Sequence, residues 1–167
     1  MSVRRFGYAL LLLLMLVPAG MMTACANSDY FEPTPLVSPE NAMVYLYRPA
    51  ATNPGKKPLT MSYPEILIDG EGAGFLRYDE YRALELPPGK HEFVATGLTK
   101  DARWKPEDVK YTINVKAGES YFMRLRVEFN TDHMSIGSFR DNYLIHLHAV
   151  DESEAIYEIR HTSLSKE

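Results

Sequence analysis

Cysteine is nearly absent: Cys25 is the single example in 167 residues. No disulfide can form within the chain, and an odd cysteine in an exported protein calls for an explanation of its own. Tryptophan occurs once, at Trp104, and the Gly-x-Ser-x-Gly elbow that presents a serine nucleophile does not occur. Basic residues number 18 against 22 acidic ones and form no dense cluster, which argues against nucleic acid as a partner. The glycine-rich stretch Asp69-Gly70-Glu71-Gly72-Ala73-Gly74 joins two strand-like runs, so it lacks the helix N-terminus of a phosphate cradle, and its glycines read as turn residues. No cofactor is implied.

The long apolar run that is present lies at the start. Arg4 and Arg5 precede Ala9 to Val17, and small residues follow at Ala19, Gly20 and Ala24. That order of charge, grease and small side chains is a secretory signal peptide, here residues 1–24. Pro18 and Gly20 interrupt the run before it reaches the ~20 residues a membrane-spanning helix needs. Met22-Thr23-Ala24-Cys25 resembles the bacterial lipobox, with methionine where leucine is commonest, so Cys25 is the expected site of lipidation and the membrane the expected partner of the fatty (palmitate-like) chains. Two or more chains at ~0.8 kcal/mol per buried methylene make a lasting anchor. Ala26 follows where an aspartate would favour inner-membrane retention, so the expected location is the periplasmic face of the outer membrane. Cleavage removes Arg4 and Arg5 and no acidic residue, leaving a mildly acidic body of net charge −6.

Residues 25–41 read as a lipidated N-terminus and Pro-rich tether, a semi-extended spacer unless Tyr30 and Phe31 dock back on the domain. The rest, 42–167, reads as one domain of short strands. Met43, Tyr45 and Tyr47 alternate with Val44 and Leu46, a strand apolar on both faces. Asp69-Gly70 marks a hairpin. Val109, Tyr111, Ile113 and Val115 share one face against Lys110, Thr112 and Asn114, and Tyr121 to Phe129 alternates in the same way, giving each strand a core face and a solvent face. Tyr143 to Val150 reads as the last strand, and Asp151 with Glu154 as a capping box opening a short helix. The fold class is therefore all-β: an antiparallel β-sandwich of about 7 to 8 short strands with a short C-terminal helix. Val44, Ile66, Phe93, Ile113 and Leu125 are its expected core.

His146 and His148 leave the same face of that last strand, a spacing able to supply two metal ligands, with His133, Asp132 or Asp141 as a third. The commoner fate of such a pair is a hydrogen-bonded or wet sheet face. Trp104, beside Arg103 and Lys105, reads as a loop contact for glycan or protein, or as a side chain folded back over the core edge. Arg124 and Arg126 share a face and could bind an anion, although opposing carboxylates are the commoner partners of such a row.

Val44 to Pro49 (VYLYRP), Ile66 to Leu76 (ILIDGEGAGFL), Leu86 to Phe93 (LPPGKHEF) and Lys116 to Leu125 (KAGESYFMRL) resemble the bacterial domain-of-unknown-function family 2846, small proteins often carrying a lipoprotein signal. The pieces also look like a PEGA-type sandwich pattern. The resemblance implies a sandwich whose matched residues Asp69, Gly70, Pro88, Gly89 and Gly118 serve turns, and it implies no reaction, substrate or cofactor. The expected function is that of a lipid-anchored envelope lipoprotein acting as a binding or structural module in the periplasm rather than an enzyme. Its expected partners, besides the membrane, are another envelope protein or a cell-wall glycan. The alternative is a metal-dependent hydrolase or metal-binding protein using His146 and His148.

Overall fold

The computed structural model describes residues 31–50, 56–104, 107–130 and 143–165. In chain order the strands are β1 (Ala42–Arg48), β2 (Lys56–Pro58), β3 (Glu65–Ile68), β4 (Glu71–Phe75), β5 (Glu80–Leu86), β6 (Gly89–Ala95), β7 (Val109–Val115), β8 (Ser120–Asn130) and β9 (Tyr143–Val150). Helix α1 (Glu152–Ile159) and the short β10 (Ser163–Leu164) follow. A six-stranded sheet runs β10-β5-β1-β8-β2 with β9 also on β8, and a four-stranded sheet runs β4-β3-β6-β7.

Alternation decides what lies between the sheets. Val44, Leu46, Met123, Leu125, Val127 and Leu147 of the larger sheet meet Ile66, Phe93, Ala95, Ile113 and Val115 of the smaller one in a single buried cluster. This is a β-sandwich, and all five expected core residues lie in it. Each of these side chains larger than alanine contributes roughly 1.5–3 kcal/mol by leaving water.

The larger sheet is mixed rather than wholly antiparallel, because β1 pairs β8 in parallel from Met43↔Ser120 to Tyr47↔Arg124 and β10 pairs β5 in parallel. Sequence pattern marks a strand but not its neighbour, and β1 and β8 are joined only after the chain has built the second sheet. The expected hairpin is present. Ile68 opposes Glu71 across Asp69 and Gly70, whose φ angles of 53° and 87° give the two-residue turn with positive φ at both central positions.

A third layer covers the outer face of the larger sheet. Met43, Tyr45, Tyr47, Tyr81 and Phe122 are buried there under Ala155 and Ile159 of α1, with Phe31 and Leu36 packed alongside. All seven residues of β1 are buried, as a strand covered on both sides requires. For β8 the second face is covered by α1 instead of being wet, while Lys110, Thr112 and Asn114 of β7 are exposed as alternation dictates.

Residues 31–41 are bound to the sandwich, so the docked alternative for Phe31 is the one observed. Its ring meets Tyr45, Tyr81 and Phe122 edge-on at centroid distances of 5.0, 5.2 and 6.3 Å. The Phe31 N–H donates to the Arg160 carbonyl at 3.1 Å, and the amides of Val37 and Ser38 both donate to the Glu85 carboxylate at 2.8 Å. Tyr30 and Cys25 lie outside the described residues.

Candidate functional site

The richest polar constellation lies where α1 crosses β8 and β9. β8 alternation sends Leu125 inward and Arg124 and Arg126 outward, and the helix turn brings Glu154 and Glu158 over them. Arg124 Nη1 donates to Glu154 at 2.6 Å and to Glu158 at 2.8 Å, and Arg126 Nη2 donates to Glu158 at 2.6 Å. The Tyr47 hydroxyl adds a third donor to Glu158 at 2.8 Å, and burial followed by that bond pushes its phenol far up. Burial opposes the Arg124 charge, but the bonds to Glu158 and Glu154 more than reverse this and raise its pKa; the bond from Arg124 holds Glu154 below the usual carboxylate range.

The two arginines expected to be able to bind an anion therefore have carboxylate partners, supplied by the helix rather than by a neighbouring strand. Glu154 is drawn into this network and away from the cap: Asp151 is the N-cap residue of α1 but makes no side-chain capping bond. The expected capping box is thus not formed, because the stronger charged partner wins.

His148 joins the same network. Arg124 Nη2 lies 2.9 Å from its Nε2, and a guanidinium can only donate, so this nitrogen accepts and the ring is neutral with its proton on Nδ1. Burial first and Arg124 second lower its pKa, in agreement. His146 is exposed on the same side of β9. Among the described residues no three His, Cys, Asp or Glu side chains are grouped to hold a metal ion, and the suggested third ligands Asp132, His133 and Asp141 lie outside those residues. A cation at the His146–His148 face would have to displace or repel the Arg124 guanidinium.

Beside the network, a cleft of about 760 Å³ opens between the C-terminal end of α1 and the end of β1, lined by Pro49, Asp79, Arg126, Tyr157, Arg160 and His161 among others. Asp79 holds a left-handed φ of 60° where the chain turns into β5; burial raises its carboxyl pKa against a backbone bond from Ala50 and the charge of His161. A second hollow of about 440 Å³ lies between β4 and β5, flanked by Gly72, Gly74, Arg77 and Arg82.

Trp104 is 1% exposed and belongs to the inter-sheet cluster. It is the folded-back side chain of the two readings, not a protruding contact, because the loop carrying it is pinned by the Trp104 N–H to the Gly97 carbonyl at 3.3 Å.

Sequence reasoning missed two polar anchors. Arg48 is 1% exposed, with Nη1 donating to the Ser62 carbonyl at 2.7 Å and Nη2 to that of Leu59; burial pushes its pKa down to about 10. His91 Nδ1 lies 2.6 Å from Asp69 Oδ2 and its Nε2 2.8 Å from the Pro87 carbonyl. The inward parity of both residues, Arg48 with Leu46 and His91 with Phe93, was the available signal.

The family model described as "Protein of unknown function (DUF2846)" matches residues 38–139, from the turn before β1 past the end of β8. No curated protein matches the chain.

Proposed function

Since the chain belongs to the family of proteins of unknown function DUF2846, whose description assigns no reaction, we propose a role from its own residues: a lipid-anchored protein of the bacterial cell envelope that serves as a binding or structural module. The observation that carries this is Cys25, the sole thiol, placed directly after a charge, grease and small-residue leader. Diacylation of that sulfur and cleavage before it leave the sandwich tethered to the periplasmic face of a membrane, the outer one given Ala26. Partners are other envelope proteins meeting a sheet edge; β7 offers one, since it pairs only with β6 among the described strands. A glycan contact through Trp104 is not part of the proposal, because that ring is buried.

The test is intact-mass measurement of the native product together with fractionation of Cys25→Ser. The expected product starts at Cys25 and carries diacylglycerol, and the serine variant leaves the membrane fraction. A native product with an uncut leader or an unmodified Cys25 would refute the anchor.

A further inference from the structure

The proposed anchor has a geometric consequence. From Cys25 to Phe31 there are six Cα steps, which at ~3.3–3.6 Å each span at most ~22 Å. Phe31 is fixed to the protein, with its N–H on the Arg160 carbonyl and its ring among Tyr45, Tyr81 and Phe122. The spacer is therefore far shorter than residues 25–41 would allow if extended, and the lipid holds the sandwich close by a defined point.

That point lies toward one end. β1 runs from Ala42 to Arg48 and α1 runs the same way, since Glu154 meets Arg124 and Glu158 meets Arg126 further along β8, which is parallel to β1, and the chain after the helix reaches Asp79, where Ser163 N–H bonds the Asp79 carbonyl at 3.0 Å and Asp79 N–H bonds the Arg48 carbonyl at 3.0 Å. Arg160, and with it the Phe31 N–H, thus sits toward the Arg48 end, while the Phe31 ring turns back over Tyr45 at the middle of β1. From Phe31 the chain climbs to Asn41 at the opposite end, where Asn41 accepts from Gly118 N–H. β1 alone is about 20 Å long, six steps at ~3.3 Å, so the opposite end lies at the limit of the tether's reach while the Arg48 end lies well within it.

The Arg48 end also carries exposed apolar side chains. Arg48 holds the loop containing Met61, through Leu59 and Ser62, and Ser62 Oγ accepts from Arg103 N–H at 3.4 Å, joining the loop of Leu98, which bridges Arg103. Met61 is 89% and Leu98 62% exposed, and Lys100 and Arg103 beside them are exposed cations on an otherwise acidic protein. We infer that this loop pair is a membrane-contact surface: Met61 and Leu98 enter the headgroup layer of the bilayer that holds the lipid, and Lys100 and Arg103 face its anionic headgroups. The inference rests on the anchor proposed above.

The test uses the full chain, made with its leader, purified from membranes and reconstituted into vesicles of phosphatidylethanolamine and phosphatidylglycerol. A fluorophore is attached through Met61→Cys or, at the opposite end, Lys90→Cys; both sites are exposed. The unsubstituted protein is expected to take up no label, since its one thiol is in the thioether. The Met61 label is expected to be quenched several-fold more by a headgroup-region nitroxide lipid than the Lys90 label, with the order reversed for aqueous iodide. Flotation with equal quenching at both sites would overturn the contact surface and leave the anchor standing. A Met61 label shielded from both quenchers would mean protein covers this end, and also overturns it. Failure of the unsubstituted protein to float would remove the anchor and the surface together.

Discussion

His91 directs both ring nitrogens at acceptors, Asp69 Oδ2 and the Pro87 carbonyl, and only an imidazolium can donate twice. Burial works against that charge, but the bonds to Asp69 and Pro87 outweigh it, so its pKa lies above the ordinary 6.5; Asp69 lies below the ordinary 3.8 because of His91 and the Glu92 N–H. The signs differ for the two partners. The raised histidine contributes stability that is complete below 6.5 and lost as pH rises through its folded value, whereas the depressed aspartate contributes above 3.8 and loses this as pH falls through its own. The stability gap between wild type and His91→Gln should therefore be widest at about pH 5–6 and narrow as the pH rises past 6.5 and through the raised folded value. Denaturant midpoints at several pH values measure it, and a gap independent of pH would mean a neutral ring. At Glu158 three donors converge on a carboxylate only 16% exposed, so Glu158→Ala leaves two guanidinium groups and the Tyr47 hydroxyl short of a partner. That substitution should cost about 2–3 kcal/mol in chemical denaturation. Glu154→Ala, at a carboxylate 57% exposed and bonded to Arg124 alone, should cost much less; equal losses would contradict Glu158 as the hub.

The segment 31–41 behaves as an element although it has no regular structure. Phe31 is half-buried, so Phe31→Ala should destabilise by about 2 kcal/mol and speed amide exchange at Thr34, Val37 and Ser38, which are bonded to Tyr45 and Glu85. Unchanged exchange would show that the ring does not hold the segment down. Truncating Val44, Ile66, Phe93, Ile113 or Leu125 to alanine should cost more, ~2–5 kcal/mol each, because these side chains lie between the sheets. Those five were legible from alternation, as was the Asp69-Gly70 hairpin, since both signals are local. The parallel pairing of β1 with β8 was not, nor were β2 and β10, whose three and two residues are too short to show a period. The covered outer face of β8 was misread as wet because Arg124 and Arg126 are polar by type; their cover comes from α1, which sequence placed next to β9 but not over β8. In the candidate site the arginine row was legible and its partners were not, because Glu154 carried an equally good local reading as a capping residue.

A sandwich of this size stands on two buried clusters, one between its sheets and one beneath α1, and every residue of both falls within the stretch from Phe31 to Ile159. Cys25 precedes all of them, and no second cysteine exists for it to pair with inside the chain. Folding and the proposed anchoring are then separable: the first belongs to the sheets, and the second, as proposed, to a single sulfur. Cys25→Ser should unfold at the same denaturant midpoint as detergent-purified wild type, while differing from it in membrane partition. Reductant should leave the midpoint and the apparent mass of wild type unchanged, because a thioether is not reduced. A dimer that collapses to monomer on reduction would show the opposite, a Cys25 thiol free to pair between copies, and would separate this sandwich from the membrane anchor proposed for it.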